Sequence, residues 1–301
     1  QYIDPTYSCG EDSVNQDMVI STGGSSYTMR YVGTRMKRYT AFVETDEVYA
    51  ANGIYDLDGL KAHAKQVYDQ MYPEDAGLYD DDWTNRKNPL NRFISYHLLP
   101  YYGAYNDWTV SGDIKNTCAK TDLIDCTDWY TTMLQGTIMK MSTPSEGLFI
   151  NRKGVGVRYT VRGTKVLSPS EIGDVDQQAL NGIYHYIDQV LDYNQETRDV
   201  VFNDRIRVMA ATLSPEFMNC GARGNTERAT GFKVVEGWDF HGKTPTMTLR
   251  KRDVWMVTYA DCIDMVGQFD VTFKLLPVPK EGTYEVRFGY GWGDIRGKGT
   301  G

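Results

Sequence analysis

The chain changes its hydrophobic period between residues 39 and 71, which restricts it to folds that combine strands with helices. Residues 39–43 (YTAFV) alternate as a buried strand should, and polar residues follow at 44–46. From Asp56 onward, apolar residues recur at spacings of three and four, which places them on one helical face. These residues are Leu57, Leu60, Ala64, Val67 and Met71. Asp56 is the predicted N-cap, because its carboxylate can accept the unpaired amide hydrogens of the first turn.

A second, shorter helix is predicted between Asn88 and Pro100. Asn88 and Pro89 combine an N-cap with a proline at the first helical position, where its missing N–H has no cost. The residues predicted to share the inward face of this helix are Leu90, Phe93, Ile94 and His97.

Much of the remaining sequence has the pattern of strands. Strand-like pieces separated by Gly, Ser and Pro are found at 136–141, 148–150 and 155–161, and residues 183–187 alternate in the same way. One more helix is predicted from Asn203, as its N-cap, to the Cys220-Gly221 turn.

Shifts in composition divide the chain into predicted domains. Residues 1–24 are predicted to be an irregular lead-in, and residues 25–220 an α+β domain; one edge strand is left open in the stretch up to about residue 38. The Gly/Asn/Thr-rich stretch 221–231 is the predicted linker, and residues 232–301 are predicted to be all β. The alternating runs in this last part are 254–258, 269–273 and 284–288. Because it is shorter than the roughly 100 residues of a full sandwich, this C-terminal domain is expected to be incomplete.

Charge and hydropathy narrow the class of protein. The net charge of −8 argues against nucleic-acid binding, which needs clustered Lys and Arg to displace counterions. No stretch approaches the roughly 18 consecutive apolar residues of a membrane span. The chain begins with Gln1 rather than Met, which is compatible with processing from an exported precursor.

Cysteine and histidine spacing gives no sign of a metal site, so no metal or other cofactor is expected. The five cysteines have no zinc-site spacing, and the four histidines form no HxxxH pair. Cys118 and Cys126 are close enough in sequence for a local disulfide. The odd count leaves at least one free thiol in the absence of intermolecular bonds.

Three segments, in chain order, resemble the sequence boxes of fasciclin domains. Residues 39–49 (YTAFVETDEVY) resemble the family's first box, T-V-F-A-P-T-D-E-A-F. Residues 91–99 (NRFISYHLL) resemble its central helix with a Tyr-His pair. Residues 179–191 (ALNGIYHYIDQVL) resemble the second box, N-G-x-x-H-x-I-D-x-V-L. The resemblance covers about residues 25–195 and includes each box once. It implies one fasciclin-type domain, a wedge of sheet and helices in which the strands of the two boxes pair.

Two departures from the family pattern refine this resemblance. Val43 and Glu44 stand where the family usually has Ala-Pro, and the stretch between the first box and the Tyr-His pair is longer than usual. The longer spacing and the phrase NPLNRF (88–93) are similar to fasciclin-like lipoproteins of Bacteroidetes, which are typically encoded beside SusC/SusD-type glycan importers. The resemblance therefore implies an adhesion or binding module on the cell outer membrane, lipid-anchored upstream of Gln1. We expect this module to be non-enzymatic because the sequence has no Gly-x-Ser-x-Gly nucleophile motif. Its implied partners are SusC/SusD-like proteins or surface glycans.

The candidate binding residues are the Tyr-His pair and a group of nearby aromatic residues. They are Tyr96, His97, Trp83, Tyr101, Tyr102 and Trp108. In the fasciclin family the Tyr-His pair is linked to both fold integrity and adhesion. A histidine in line with apolar residues is more often part of the core, so that role is preferred for His97, and likewise for His185 on its alternating strand. The aromatic residues are predicted to be exposed around an acidic loop, where they could contact sugars or proteins. Packing of the loop against the sheet is the preferred alternative.

Two rival hypotheses remain. A carbohydrate-active hydrolase would need an acid and a base, and the available carboxylates are Asp80, Asp81, Asp82 and Glu74. The other rival is a purely structural subunit of a larger envelope complex.

Overall fold

The computed structural model describes the part of the chain that carries both predicted boxes and most of the predicted strands. It covers residues 2–3, 17–22, 25–31, 36–108, 126–155, 157–173, 177–206, 208, 210–219, 229–232, 235–243, 246–251 and 261–287.

Helices and strands are both present in these residues, so the fold is mixed α+β, as predicted. The α-helices are α1 (Asp46–Ala51), α2 (Leu57–Met71), α3 (Pro89–Tyr96), α4 (Pro169–Ile172) and α5 (Pro215–Asn219). Single helical turns of other types are found at Pro73–Asp75, Tyr105–Asp107, Thr197–Val201 and Ala210–Leu213. The strands are β1 (Tyr2–Ile3), β2 (Asp17–Thr22), β3 (Ser25–Tyr31), β4 (Met36–Lys37), β5 (Tyr39–Glu44), β6 (Leu98–Leu99), β7 (Cys126–Thr131), β8 (Ile138–Thr143), β9 (Leu148–Ile150), β10 (Lys153–Val155), β11 (Arg158–Val161), β12 (Thr164–Val166), β13 (Gln178–Ala179), β14 (Gly182–Ile187), β15 (Ala229–Phe232), β16 (Trp238–Asp239), β17 (Thr246–Lys251), β18 (Asp261–Val266) and β19 (Thr272–Phe273).

An eight-stranded sheet organises the domain, with strand order β6-β5-β14-β12-β9-β8-β7 and β13 paired with β14. Strands β5 and β14 are parallel neighbours, with Gly182 opposite Tyr39 and Ile187 opposite Glu44. The other pairs in this sheet are antiparallel. The predicted pairing of the strands at 39–43 and 183–187 is therefore confirmed. It brings the ends of both strands to the same edge of the sheet.

The alternation in β14 arises because one face of the strand packs on the core. Ile183, His185 and Ile187 are buried, while Tyr184 and Tyr186 lie on the other face with ring centroids 5.6 Å apart. Gly182 is needed here for close approach rather than for a positive φ: a Cβ at this position would lie 2.2 Å from the Tyr39 carbonyl oxygen.

Helices α2 and α3 begin at the predicted caps and cover the main core. Asp56 accepts from the Gly59 amide at 2.7 Å, and Asn88 accepts from the first turn of α3. The predicted inward face of α3 was partly wrong, since Ile94 is 49% exposed whereas Arg92 is buried. Arg92 turns inward because Asp75 pairs with its guanidinium, which lies 3.8 Å from the centre of the Tyr72 ring. Buried residues of both helices join those of the sheet in one hydrophobic cluster.

A second, five-stranded sheet combines strands from both ends of the chain, in the order β18-β17-β15-β3-β2. The irregular lead-in predicted for residues 1–24 is corrected at residues 17–22, because β2 pairs with β3 along its whole length; residues 4–16 lie outside the described residues. Backbone pairing with a neighbour decides strand formation here, whatever the share of Ser and Thr. The predicted linker is corrected at residues 229–231, which lie in β15, and residues 221–228 lie outside the described residues. The division into two domains remains a prediction.

Two further predictions near the C-terminus were wrong. Asn203 does not begin a helix: the chain forms a short turn at Ala210–Leu213 and then α5. The Ser214-Pro215 step explains the break, since proline disfavours the helical conformation of the residue before it. Residues 284–287 form no strand, because none of the described residues pairs with them. The predicted strand at 254–258 lies outside the described residues, as does Cys118 of the suggested disulfide.

Candidate functional site

The Tyr-His pair at the end of α3 is buried, with Tyr96 at 0% and His97 at 6% exposure. The Tyr96 hydroxyl donates to the Ile138 carbonyl at 3.3 Å and accepts from the Asn151 amide at 2.9 Å. Its ring centroid lies 5.2 Å from that of Tyr193. These contacts attach the end of α3 to the sheet, in accord with the core role preferred from the sequence.

His97 is held between an acceptor on its own helix and a carboxylate from β5. Its Nδ1 donates to the Phe93 carbonyl at 2.7 Å, and its Nε2 donates to Oε1 of Glu44 at 2.8 Å. Because both ring nitrogens face acceptors, the arrangement favours the imidazolium form. Burial by itself would lower the pKa of His97, but the Glu44 carboxylate outweighs it and raises that pKa.

The Glu44 carboxylate is the centre of this network. Besides His97, its Oε1 accepts from the Leu191 amide at 3.0 Å, and its Oε2 accepts from the Tyr49 hydroxyl at 3.0 Å. Burial would raise the pKa of Glu44, but His97 and these two donors more than offset it and lower the pKa below its usual range. Glu44 therefore remains ionised in a buried position.

A second histidine–carboxylate pair lies nearby, between α2 and the segment after β14. Nε2 of His63 lies 3.0 Å from both carboxylate oxygens of Asp192. The hydrogen bond that His63 donates to the Asp192 carboxylate raises the pKa of His63, against the opposing effect of burial. The spacing of α2 suggests a polar face for His63, but the side chain is only 25% exposed because Asp192 draws it against the domain.

The aromatic candidates do not form one exposed group. Tyr101 and Trp108 are 1% and 3% exposed, which agrees with the preferred alternative of packing and excludes these two residues from an exposed group. The cause is Thr40 of β5: its hydroxyl donates to the Tyr101 carbonyl at 2.8 Å and accepts from the Gly103 amide at 3.0 Å, which draws this segment into the core. Tyr102 is half-buried.

Trp83 remains as the accessible aromatic candidate, with 72% of its surface exposed. Its backbone carbonyl accepts from the Asn91 side chain at 3.0 Å, which ties the acidic loop to the first turn of α3. An exposed indole on a loop held in this way can bind a partner without rearrangement of the core.

The carboxylates of the hydrolase hypothesis are separate groups on this loop and on the turn before it. Asp80 pairs with Lys65 at 2.6 Å, and Asp82 accepts from the Thr84 amide at 3.1 Å. Asp81 and Glu74 are exposed. None of the four lines the cavity described next.

A cavity of about 200 Å³ opens beside β14. Its lining includes Tyr105, Asn106, Gln177, Gln178, Ile183 and His185. Gln178 connects it to Tyr102, because its side-chain amide donates to the Tyr102 hydroxyl at 2.8 Å. Burial lowers the pKa of His185, and Nε2 of its ring donates to the Gly103 carbonyl at 2.8 Å. The cavity is therefore lined by uncharged side chains, some polar and some apolar.

Sequence reasoning did not single out Glu44, Asp192 or Gln177. A signal existed for the first two, since each carboxylate follows closely on a predicted buried strand, and the two strands were expected to pair. Neighbouring parallel strands place their ends together, where polar side chains meet. Gln177 had no comparable signal, because its position depends on a short hairpin partner of β14.

No protein-family model matches the chain, and no curated protein matches it. Within the described residues, no helix has the length and apolar character to cross a membrane. The same part of the chain contains no group of three or more His, Cys, Asp or Glu residues placed to hold a metal ion.

Proposed function

We propose that the chain is a non-enzymatic binding module of the fasciclin type on the outer face of the outer membrane. A lipid anchor upstream of Gln1 holds it there, and it acts as an accessory subunit of a SusC/SusD-type nutrient uptake complex. The observation that carries the proposal is the contact set of Glu44. This carboxylate from the first box accepts from His97 of the Tyr-His segment and from Leu191 of the second box.

That contact set supports the fasciclin assignment because it joins the three segments on which the resemblance rests. The two box strands are in register over their whole length, and the Tyr-His helix closes on the edge where they end. Residues that lie far apart in sequence thus form one buried unit. Sequence boxes that specify a fold are expected to contact one another in this way.

The residues that the buried unit leaves at the surface support a binding role. Since Tyr96 and His97 are part of the scaffold, contacts with other molecules fall to exposed residues such as Trp83. Exposed tryptophan is a frequent anchor of protein interfaces. The carboxylates available for hydrolysis are occupied by local contacts or scattered on the loop, which favours binding over catalysis.

Recovery of partners from native membranes tests this proposal. The full-length protein, tagged at its C-terminus in the cell that makes it, is purified in mild detergent and its partners are quantified by mass spectrometry. We expect a SusC-like transporter and a SusD-like lipoprotein in stoichiometric amounts, and a severalfold lower recovery with Trp83→Ala. Tyr55→Ala is the matched control, since Tyr55 is also an exposed aromatic residue, at 81%. A protein recovered alone would refute the accessory role.

The hydrolase alternative is tested separately with purified protein and a panel of glycans. Release of reducing ends by the wild type, lost in Asp80→Asn, Asp81→Asn, Asp82→Asn or Glu74→Gln, would refute the non-enzymatic assignment. We expect no release from any of these proteins.

A further inference from the structure

Residues 283–287 (TYEVR) form a straight and exposed segment after β19. The chain bends at 279–282, and no turn or bend interrupts residues 283–287. Every residue from 281 to 287 is exposed. No described residue pairs with the backbone of this segment in a sheet or in any other backbone hydrogen bond. The amide and carbonyl groups of 283–287 are therefore left for a partner from outside the described chain.

The side chains of this segment alternate as those of a strand do. Glu285 and Arg287 lie on one side, because their side chains pair at 2.7 Å although one residue separates them. A contact between residues i and i+2 is typical of an extended chain and does not occur on a helix. Tyr284 and Val286 alternate with this pair and are 43% and 68% exposed. Both residue types are enriched in strands, so a neighbouring backbone is all that the segment lacks.

The charges of the segment determine which neighbour it accepts. Natural proteins protect unpaired strands by placing charged residues on them. Here one acid and one base flank Val286, so the segment does not repel a second copy of itself. When two copies pair antiparallel with Val286 opposite Val286, Glu285 lies opposite Arg287 of the second copy. By symmetry the same pair forms twice, and opposite charges in this position stabilise a sheet.

Other alignments of two copies lose this complementarity. An antiparallel shift of two residues places Glu285 opposite Glu285, or Arg287 opposite Arg287, and like charges in this position are destabilising. A shift of one residue places Val286 opposite a charged residue. Parallel pairing in register again brings like charges together. Charge complementarity therefore selects one alignment, which is symmetric about Val286.

We infer that residues 283–287 are a dimerisation strand, which pairs antiparallel with the same segment of a second copy of this chain about a two-fold axis at Val286. Two strands of this length bury less than the roughly 1,200 Å² of a stable interface, so the dimer is weak, with a dissociation constant on the order of 0.1 mM. The inference goes beyond the proposed function and does not rest on it, because two copies can pair without any other protein.

Sedimentation equilibrium of the full chain at concentrations between roughly 10 µM and 1 mM tests the inference. We expect a monomer–dimer equilibrium for the wild type. Arg287→Glu replaces both attractive pairs by repulsive ones and should weaken association about tenfold. Lys61→Glu is the matched control, since it makes the same change of net charge in another exposed ion pair, that of Lys61 with Asp58. The control should dimerise like the wild type.

A mixture of two variants separates strand pairing from misfolding. Glu285→Arg should associate as weakly on its own as Arg287→Glu does. In an equimolar mixture, each acid of one variant lies opposite a base of the other, so we expect a heterodimer at least as stable as the wild-type dimer. Damage to the fold of either variant cannot produce this recovery. The inference is wrong if the mixture stays monomeric, if Arg287→Glu associates like the wild type, or if the wild type is a monomer throughout.

Hydrogen exchange followed by mass spectrometry locates the contact. The amides of 283–287 should exchange freely in dilute protein and more slowly as the concentration rises. Protection that does not depend on concentration would show that the segment pairs within its own chain, and protection confined to another region would show a different interface. Either result would overturn the inference. Recovery of membrane partners does not measure this self-association, so the proposed function and the dimer can fail separately.

Discussion

Nε2 of His97 lies 2.8 Å from Oε1 of Glu44, and both side chains are almost fully buried. Each charge is tolerated in the interior because of the other, and the pair joins the C-terminus of α3 to the end of β5. The free energy of a buried ion pair is finely balanced, but removal of one member leaves the other uncompensated. The stability of the domain should therefore depend strongly on Glu44.

Replacement of Glu44 by alanine tests that dependence. Glu44→Ala leaves His97 and the Leu191 amide without their acceptor, and we expect a loss of about 3–5 kcal/mol in the free energy of unfolding. Urea denaturation at neutral pH measures it. Asp58→Ala is the control, because Asp58 pairs with Lys61 on the exposed face of α2, and such pairs contribute only about 0–1 kcal/mol. Equal losses for the two variants would contradict the assigned role of the buried pair.

The same pair predicts a defined pH dependence. The raised pKa of His97 makes its contribution complete below the unfolded value of about 6.5, and the contribution is lost as pH rises through the folded value. The lowered pKa of Glu44 makes its contribution complete above about 4.3, and the contribution is lost as pH falls through the folded value. The stabilisation by the pair should therefore be greatest between about pH 4.3 and 6.5.

Thermal unfolding of the wild type and Glu44→Gln between pH 3 and 9 measures this window. The difference in unfolding free energy between the two proteins should peak inside the window and decline on both sides. His63, whose pKa is raised, and His185, whose pKa is lowered, act in opposite directions, but both are present in each protein and largely cancel in the difference. A difference that is flat across this range would show that the pair does not stabilise the fold through its charges.

Gly182 should resist any substitution, because its neighbour strand leaves no space for a side chain. A Cβ would lie 2.2 Å from the Tyr39 carbonyl oxygen, which is backbone and cannot rotate away. Gly182→Ala should therefore separate the start of β14 from β5 and cost about 1–3 kcal/mol in urea unfolding. Gly282→Ala is the control, since its Cβ would meet only an ordinary contact at 3.7 Å. A neutral Gly182→Ala variant would mean that the two strands are not paired this closely.

The two helix caps should differ in their contribution to stability. Asp56 is exposed and accepts from one amide of α2, so Asp56→Ala should cost about 1 kcal/mol. Asn88 is buried, and its side chain accepts from two amides of α3 and donates to two carbonyls of the preceding loop. Asn88→Ala should therefore cost about 2–4 kcal/mol, because unpaired buried groups add to the loss of the cap. Urea unfolding of both variants gives the comparison, and a larger effect at Asp56 would contradict it.

Features encoded by neighbouring residues could be predicted from the sequence. The caps at Asp56 and Asn88 could be predicted because the first amide groups of a helix lack acceptors within the helix. The alternation in β14 could be predicted because successive side chains of a strand point to opposite faces. The pairing of β5 with β14 could be predicted from the resemblance of these two segments to the two boxes of the fasciclin family, whose strands are expected to pair.

Contacts between distant residues could not be predicted in the same way. The spacing of α2 places His63 on a polar face, yet Asp192 lies beyond the far strand and draws it inward. Trp108 lies after α3 in a segment rich in aromatic residues, and such a segment is compatible with either a surface or a core position. Its burial depends on hydrogen bonds that Thr40 makes to the backbone near it. Hydrophobic periodicity indicates which face of a helix or strand is apolar. It does not indicate which polar side chain from a distant part of the chain will contact that element.

The parallel pairing of β3 with β15 has a consequence for how the protein is made. Strands β2 and β3 leave the ribosome long before β15, and at about 5–20 residues per second the strand that will cover β3 follows on the order of tens of seconds later. During that interval the edge of the nascent hairpin has unpaired backbone groups, which can pair with another growing chain. Correct folding therefore depends on protection of this edge during synthesis as well as on the contacts of the finished protein.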